Sequence, residues 1–246
     1  MPDASIDGVI TLTGGRMTEG VTLRDNVVLR PASPSSAFVA ALLDLFEKRG
    51  FQGAPRYLGS DDGMDIFSYV PGDVPARFGV WSDEQVAAAG ALLREMHEAS
   101  RGSELAGRFP VVCHHDAGPN NVVFVDDVPT AFIDFDTAAP GSPLEDFGYM
   151  AWTWCIASKR TTPVRRQAEQ VRILADAYGL DVSERGVVVD CALERQARNA
   201  RFWAEILASP GSAPASASVI AGRIAWSQRE HAFTHEHREE FERVLA

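Results

Sequence analysis

Asp116, Asn121 and Asp134 carry side-chain oxygens at a spacing that suits phosphoryl transfer. They lie in VVCHHDAGPNNVVFVDDVPTAFIDFDTAAPGSPLEDFGYMAW, residues 111–152. Two apolar runs, Val122–Val125 and Thr130–Ile133, flank Asp126-Asp127-Val128-Pro129, a pattern that predicts a hairpin. A loop of two or four residues centred between Asp127 and Val128 pairs Val125 with Thr130, Phe124 with Ala131 and Val122 with Ile133. The same register puts Asn121 opposite Asp134, whereas an odd loop would shift it by one. Directly opposed residues have Cβ atoms about 4.5–5.5 Å apart, so both side chains could reach one Mg²⁺ at about 2.0–2.1 Å. Asp116 lies five residues before Asn121, with Pro119 between them. The proline keeps this segment out of a helix, so Asp116 can project above the hairpin. One carboxylate to orient an attacking hydroxyl, with oxygen ligands to hold Mg²⁺ on phosphates, is the equipment of phosphoryl transfer. In such a site the metal disperses the charge that builds on the transferred group.

The elements that must hold these residues are legible around them. VITLTGG, EGVTLRD and NVVLRP are short β-branched runs separated by Gly15, Gly20 and Asp25-Asn26, and they predict antiparallel strands. After Pro31 and Pro34, Ser35 or Ser36 can cap a helix with Phe38, Ala41, Leu42, Leu45 and Phe46 on one face and Gly50 as its stop. RYLG and MDIFSYVPG add two more strands, making a small lobe of five strands and one helix over residues 1–72. From Ser82 the period becomes helical. Ser82 and Gln85 form a capping-box pair, and Val86, Leu92, Leu93 and Met96 mark the apolar face of a helix to about Ala99. Further helices are expected near 144–158, 163–178, 184–207 and 216–245, with a loop from Pro210 to Pro214. Residues 73–246 thus form a mainly helical lobe.

Composition narrows the function classes. In 246 residues, 23 Lys and Arg stand against 34 Asp and Glu, a formal charge of −11. A general affinity for nucleic acid or an anionic membrane needs the opposite balance. No apolar run approaches the roughly 18 residues of a membrane span. Cys113, Cys155 and Cys191 are far apart and form no CxxC pair, so they read as free thiols in a cytoplasmic protein. The surplus of acid mildly favours a cationic ligand.

HHDAGPNN followed by IDFD resembles the catalytic loop and metal-binding segment of protein-kinase-like enzymes. It is most similar to the aminoglycoside phosphotransferase and choline kinase branch, including the small bacterial group named for trifolitoxin immunity. PGSPLEDFGYMAW, RPASPSSAFVAALLDLFEKRGFQGAPRYLG and ALLREMHEAS extend the resemblance over roughly residues 10–180. It implies an α+β, protein-kinase-like bilobal fold, with ATP or GTP and Mg²⁺ in the cleft and a small-molecule acceptor such as an aminoglycoside or amino alcohol. A role in antibiotic resistance would follow.

By the same resemblance Asp116 matches the catalytic base, and Asn121 and Asp134 match the Mg²⁺ ligands. His114 matches an architectural histidine. Asp146 matches a buried Asp that hydrogen-bonds the catalytic loop. The nucleotide hinge falls at Ser68-Tyr69-Val70. Asp136, two residues beyond Asp134, would lie on the same side of an extended chain as a further metal or substrate contact. The strand position of the phosphate-binding lysine holds Arg30, and the chain's two lysines, Lys48 and Lys159, lie elsewhere. The Gly-rich loop reads TGGRMTEG over residues 13–20. The missing lysine and irregular loop motivate a competing reading, a kinase-like immunity protein that binds an antibiotic or peptide without turnover.

Overall fold

Left-handed turns set the registers of the N-terminal sheet. The computed structural model describes residues 9–11, 20–76, 78–209 and 214–246. The expected Gly-rich loop, apart from Gly20, and most of the Pro210–Pro214 loop lie outside the described residues. Strands β1 (Val9–Thr11), β2 (Thr22–Arg24), β3 (Val27–Pro31), β4 (Tyr57–Asp61) and β5 (Met64–Ser68) pair antiparallel in the order β1-β2-β3-β5-β4. Asp25-Asn26 and Asp62-Gly63 join neighbouring strands with positive φ at both positions. This is the two-residue hairpin geometry that matches strand twist.

Helix α1 (Ser36–Lys48) buries Val39, Leu42, Leu43 and Phe46. The buried stripe is rotated from the expected one, since Ala41 is exposed while Phe38 and Leu45 are half-buried. Gly50 follows the helix at φ 76°, which a residue without Cβ tolerates. The Phe46 ring lies 5.8 Å from Phe135, so α1 packs against the residue next to Asp134.

Gly72 follows the last strand of this sheet. A Cβ there would lie 2.4 Å from the Phe124 carbonyl oxygen, so the close approach requires glycine. Asp73 then exchanges two backbone hydrogen bonds of 2.8 Å with Phe124. Helix α2 (Asp83–Ser100) opens with the expected reciprocal Ser82–Gln85 box and buries Val86, Leu92, Leu93 and Met96.

Two small hairpin-like pairs carry the site, β6 (Val111–Cys113) with β9 (Ala139–Gly141) and β7 (Val122–Val125) with β8 (Val128–Phe132). They are followed by α3 (Pro143–Met150), α4 (Val164–Tyr178), α5 (Val182–Arg185), α6 (Val188–Ala208), α7 (Ala217–Glu236) and α8 (Arg238–Leu245). Helix α3 does not run on to residue 158. It widens into a π turn over Ala151–Cys155 that buries Trp152 and Trp154. Gly148 lets α3 approach α6, because a Cβ there would lie 2.6 Å from the Cys191 carbonyl carbon. Among the described residues, no helix is long and apolar enough to cross a membrane.

Candidate active site

The hairpin under the site has a different register from the expected one. Its loop is Asp126-Asp127, both at positive φ, so Val125 pairs with Val128. A bulge between Val123 and Phe124 then shifts the ladder, giving Val123–Ala131 and Val122–Phe132. Asn121 therefore faces Ile133, whose N–H donates to the Asn121 carbonyl at 2.9 Å. The expected Asn121–Asp134 pairing is not formed. Asp134 is the next residue along, at φ 65° and ψ 60°. This left-handed conformation turns the chain out of the strand, and its charge still acts on Asp116.

Asp116 sits in the loop after β6. Pro119 occupies the first position of a 3₁₀ turn, Pro119–Asn121, where its missing N–H has no helical partner to lose. Asp116 precedes that turn. Asn121 Nδ2 donates to the Asp116 carbonyl at 2.9 Å and to Asp116 Oδ2 at 2.8 Å. Burial pushes the Asp116 carboxyl above its ordinary pKa and outweighs the hydrogen bonds that draw it down. Such a group is a proton acceptor whose basicity exceeds that of a solvated carboxylate.

The loop itself hangs on Asp146. Its two carboxylate oxygens accept from the His114 amide at 2.6 Å, the His115 amide at 2.7 Å and His97 Nε2 at 3.0 Å. Tyr178 reaches the other His97 nitrogen at 2.8 Å. Asp146, His97 and His114 are wholly buried. Burial opposes ionisation of Asp146, but the His97 hydrogen bond and neighbouring imidazoles prevail and hold its pKa well below the usual range. His114 Nε2 donates to the Ile133 carbonyl at 3.0 Å, and its Nδ1 accepts from the Asp116 amide at 3.3 Å. That imidazole therefore ties the loop to the hairpin. His97, Cys113 and Asp146 bring three ligand-type atoms within 4.8 Å of one another. The Asp146 oxygens already serve three N–H donors, and burial drives the Cys113 pKa far up, so this knot is a hydrogen-bond brace.

Arg30 reaches across from β3. Its guanidinium lies 3.1 Å from Asp134 and also pairs with Asp136, with only 15% of its side chain exposed. The carboxylates of α1 pair elsewhere or face solvent: Glu47 binds Arg56 at 2.8 Å, and Asp44 is exposed. Burial and the neighbouring Asp134 charge raise the Asp136 pKa against the pull of Arg30. The donor set of Asn121, Asp134 and Asp136 is hard oxygen, which fits Mg²⁺. At the end of β5, the Ser68 amide donates to the Arg56 carbonyl and the Tyr69 amide to the Asn26 carbonyl, each at 2.9 Å. Half-buried Val70 follows, two residues before Gly72.

With this geometry in view, the relatives become informative. A family model described as the phosphotransferase enzyme family matches residues 102–188. The trifolitoxin immunity protein of Rhizobium leguminosarum bv. trifolii is 31% identical over 261 residues, covering 96% of this chain and 98% of its own. The chain belongs to the phosphotransferase enzyme family.

Solved structures place this family member in the kinase-like fold. A choline/ethanolamine kinase family protein from Mesorhizobium loti matches with a TM-score of 0.65 at 18% identity, over 96% of this chain and 90% of that one. A spectinomycin phosphotransferase bound to ADP and spectinomycin gives 0.64 at 12% identity, over 93% of each chain. The GDP complex of aminoglycoside 2'-phosphotransferase-IIIa gives 0.62 at 15%, over 94% of each. The fold expected from HHDAGPNN and IDFD is thus the fold found.

Two residues of this phosphotransferase-family chain escaped the sequence reading. Tyr149 donates its hydroxyl to Asp116 Oδ1 at 2.5 Å. The signal was present, because Tyr149 is three residues beyond Asp146 on α3 and shares its face. Arg195, on α6, donates to the His115 carbonyl at 2.6 Å and lies over the Tyr149 ring at 5.0 Å. Nothing local in the sequence marks it.

Proposed function

We propose that the protein is a Mg²⁺-dependent phosphotransferase that moves the γ-phosphoryl of ATP or GTP to a hydroxyl of a small molecule. The observation that carries this reading is the half-buried Asp116 carboxylate, gripped through both oxygens by Tyr149 and Asn121 in a chain of this family. Asp116 orients the acceptor hydroxyl and takes its proton. The new bond joins the acceptor oxygen to the γ-phosphorus, the bridging bond to the β-phosphate breaks, and the nucleoside diphosphate leaves. Asn121 and Asp134, with Asp136 beside them, would hold Mg²⁺, which supplies neutralisation of the phosphate charge when bound. Arg30 exchanges carboxylate oxygens for phosphate oxygens, a fit its planar fork allows. Ser68-Tyr69-Val70 lines the adenine or guanine side. His114 and Asp146 keep the loop in place.

The test is consumption of ATP or GTP with Mg²⁺ across a broad panel of hydroxylated amines, aminoglycosides and related alcohols. Saturating Mg-ATP should raise Tm by several degrees, since a ligand at a hundred times its Kd adds about 2.7 kcal/mol. Asp134→Asn should abolish most of that shift while leaving the ligand-free Tm near the wild-type value. An unchanged Mg-ATP shift in the variant would remove Asp134 from the metal site.

A second variant separates positioning from proton transfer. Tyr149→Phe deletes a hydrogen bond that lowers the Asp116 pKa. The acid limb of kcat/KM should therefore move to higher pH, with turnover at neutral pH falling about tenfold. A pH profile that stays in place would refute this role. The immunity reading finds support in the name of the 31% identical relative and in the engagement of Asp134 and Asp136 by Arg30. Ligand protection that survives Asp116→Asn, with no phosphate released by the wild type, would favour it.

A further inference from the structure

One ring beyond the Asp116 carboxylate lies a cavity. The Tyr149 ring that caps Asp116 meets Trp152 edge-on at 5.8 Å, and Trp152 stacks on Trp226 at 4.5 Å. Phe78 lies 5.7 Å from Trp226. A Cβ at Gly118, in the loop between Asp116 and Asn121, would be 3.5 Å from a ring carbon of both Phe78 and Tyr149. Phe78, Trp152 and Trp226 line a space of about 230 Å³ together with Lys159, Arg160, Arg229 and Glu230. This is somewhat larger than the roughly 150 Å³ that accommodates benzene. It has room for one ring with a substituent.

The charges and donors of this lining are specific. Three cations and one carboxylate line it, the reverse of the whole-chain balance of −11, with the Arg160 guanidinium held by the carbonyls of Gly79, Trp154 and Cys155. Glu230 is 2% exposed and already accepts from the Ser158 amide and hydroxyl at 2.7 and 2.6 Å. It is therefore poorly placed to greet a cationic ligand. Lys159 is exposed, and Arg229 keeps 40% of its side chain exposed at 3.7 Å from Glu230. The Nε1–H of Trp152, a residue only 1% exposed, is buried with no acceptor among the described residues.

We propose that this cavity is the acceptor subsite and that it takes a planar, π-rich alcohol bearing a negative charge. The proposal rests on the phosphotransferase reading above. Aromatic faces alone would also attract a cation. The surplus of Lys and Arg decides for the anion.

The test uses two probes of one shape, 4-(hydroxymethyl)benzoate and 4-(hydroxymethyl)benzylamine. Calorimetry on the full chain without nucleotide, and on Asp116→Asn, measures binding apart from chemistry. The benzoate should bind about tenfold more tightly than the amine, the size of two half-exposed charge contacts. The double variant Lys159→Glu, Arg229→Glu should remove that preference, and Trp226→Ala should weaken both probes. Equal or tighter amine binding, a benzoate affinity indifferent to charge reversal, or binding of neither probe would overturn the subsite. ATP consumption driven by amines without benzoate binding would also overturn it and spare the phosphotransferase reading. Benzoate binding that follows every variant as expected, with no nucleotide-dependent phosphorylation of any acceptor, would overturn that reading instead.

Discussion

Asp116→Asn is expected to lower turnover by about three orders of magnitude while changing stability by no more than about 1 kcal/mol. The two halves of this expectation have one origin. A base that is buried to raise its pKa carries an electrostatic penalty in the folded state. Because the folded value lies above the unfolded one, ionised Asp116 subtracts stability as pH rises from about 4 through the raised folded value, and the penalty is complete above it. Asn carries no charge and escapes that penalty at neutral pH. Against this gain, the new amide would set a donor against the Asn121 Nδ2 donor, while Tyr149 keeps an acceptor. These terms oppose one another, so the melting temperature should hardly move. Initial rates and thermal unfolding, measured together at pH 7, check the claim. A large fall in Tm would make Asp116 a structural residue, and an unchanged rate would remove it from the reaction.

How far the sequence reached depends on how local each signal was. Asp25-Asn26 and Ser82–Gln85 act within a few residues, through left-handed turn chemistry and reciprocal capping, and both appear where their spacing put them. HHDAGPNN and IDFD were legible for the same reason, and the family and fold they resemble are those found. The β7–β8 register was not legible, because a two-residue Asp-Asp turn and a bulge displace the ladder by increments that apolar patterning cannot resolve. Arg30 pairing with Asp134 and Asp136 joins residues more than a hundred positions apart, and Arg195 approaches His115 across eighty. Such contacts exist only once the lobes and helices have packed. The sign of charge at the Trp152 cavity was likewise invisible in the total, because −11 averages over a surface whose lining near α7 is cationic.

The second large effect concerns stability. Asp146→Ala should destabilise the protein by about 3–5 kcal/mol, the range found when one member of a buried, hydrogen-bonded charge network is removed. Two loop amides and the His97 ring lose their acceptor at once, in a region with no solvent to replace it. His115 adopts φ 63°, a conformation disfavoured for a residue with Cβ, and its amide is among those that Asp146 holds. Releasing it lets the loop relax toward ordinary backbone and carries Asp116 away from Tyr149. Activity should therefore fall with stability, whereas Asp116→Asn loses activity alone. The pH dependence identifies the charge as the agent. The folded pKa of Asp146 is depressed, so its stabilisation is fully present above the unfolded carboxylate value near 4 and is lost as pH falls through the folded value. The stability gap between wild type and Asp146→Asn, which preserves shape but not charge, should be constant from pH 7 to about 5 and narrow below about 4. Denaturant unfolding across that range measures it, and a gap independent of pH would show that shape rather than charge holds the loop.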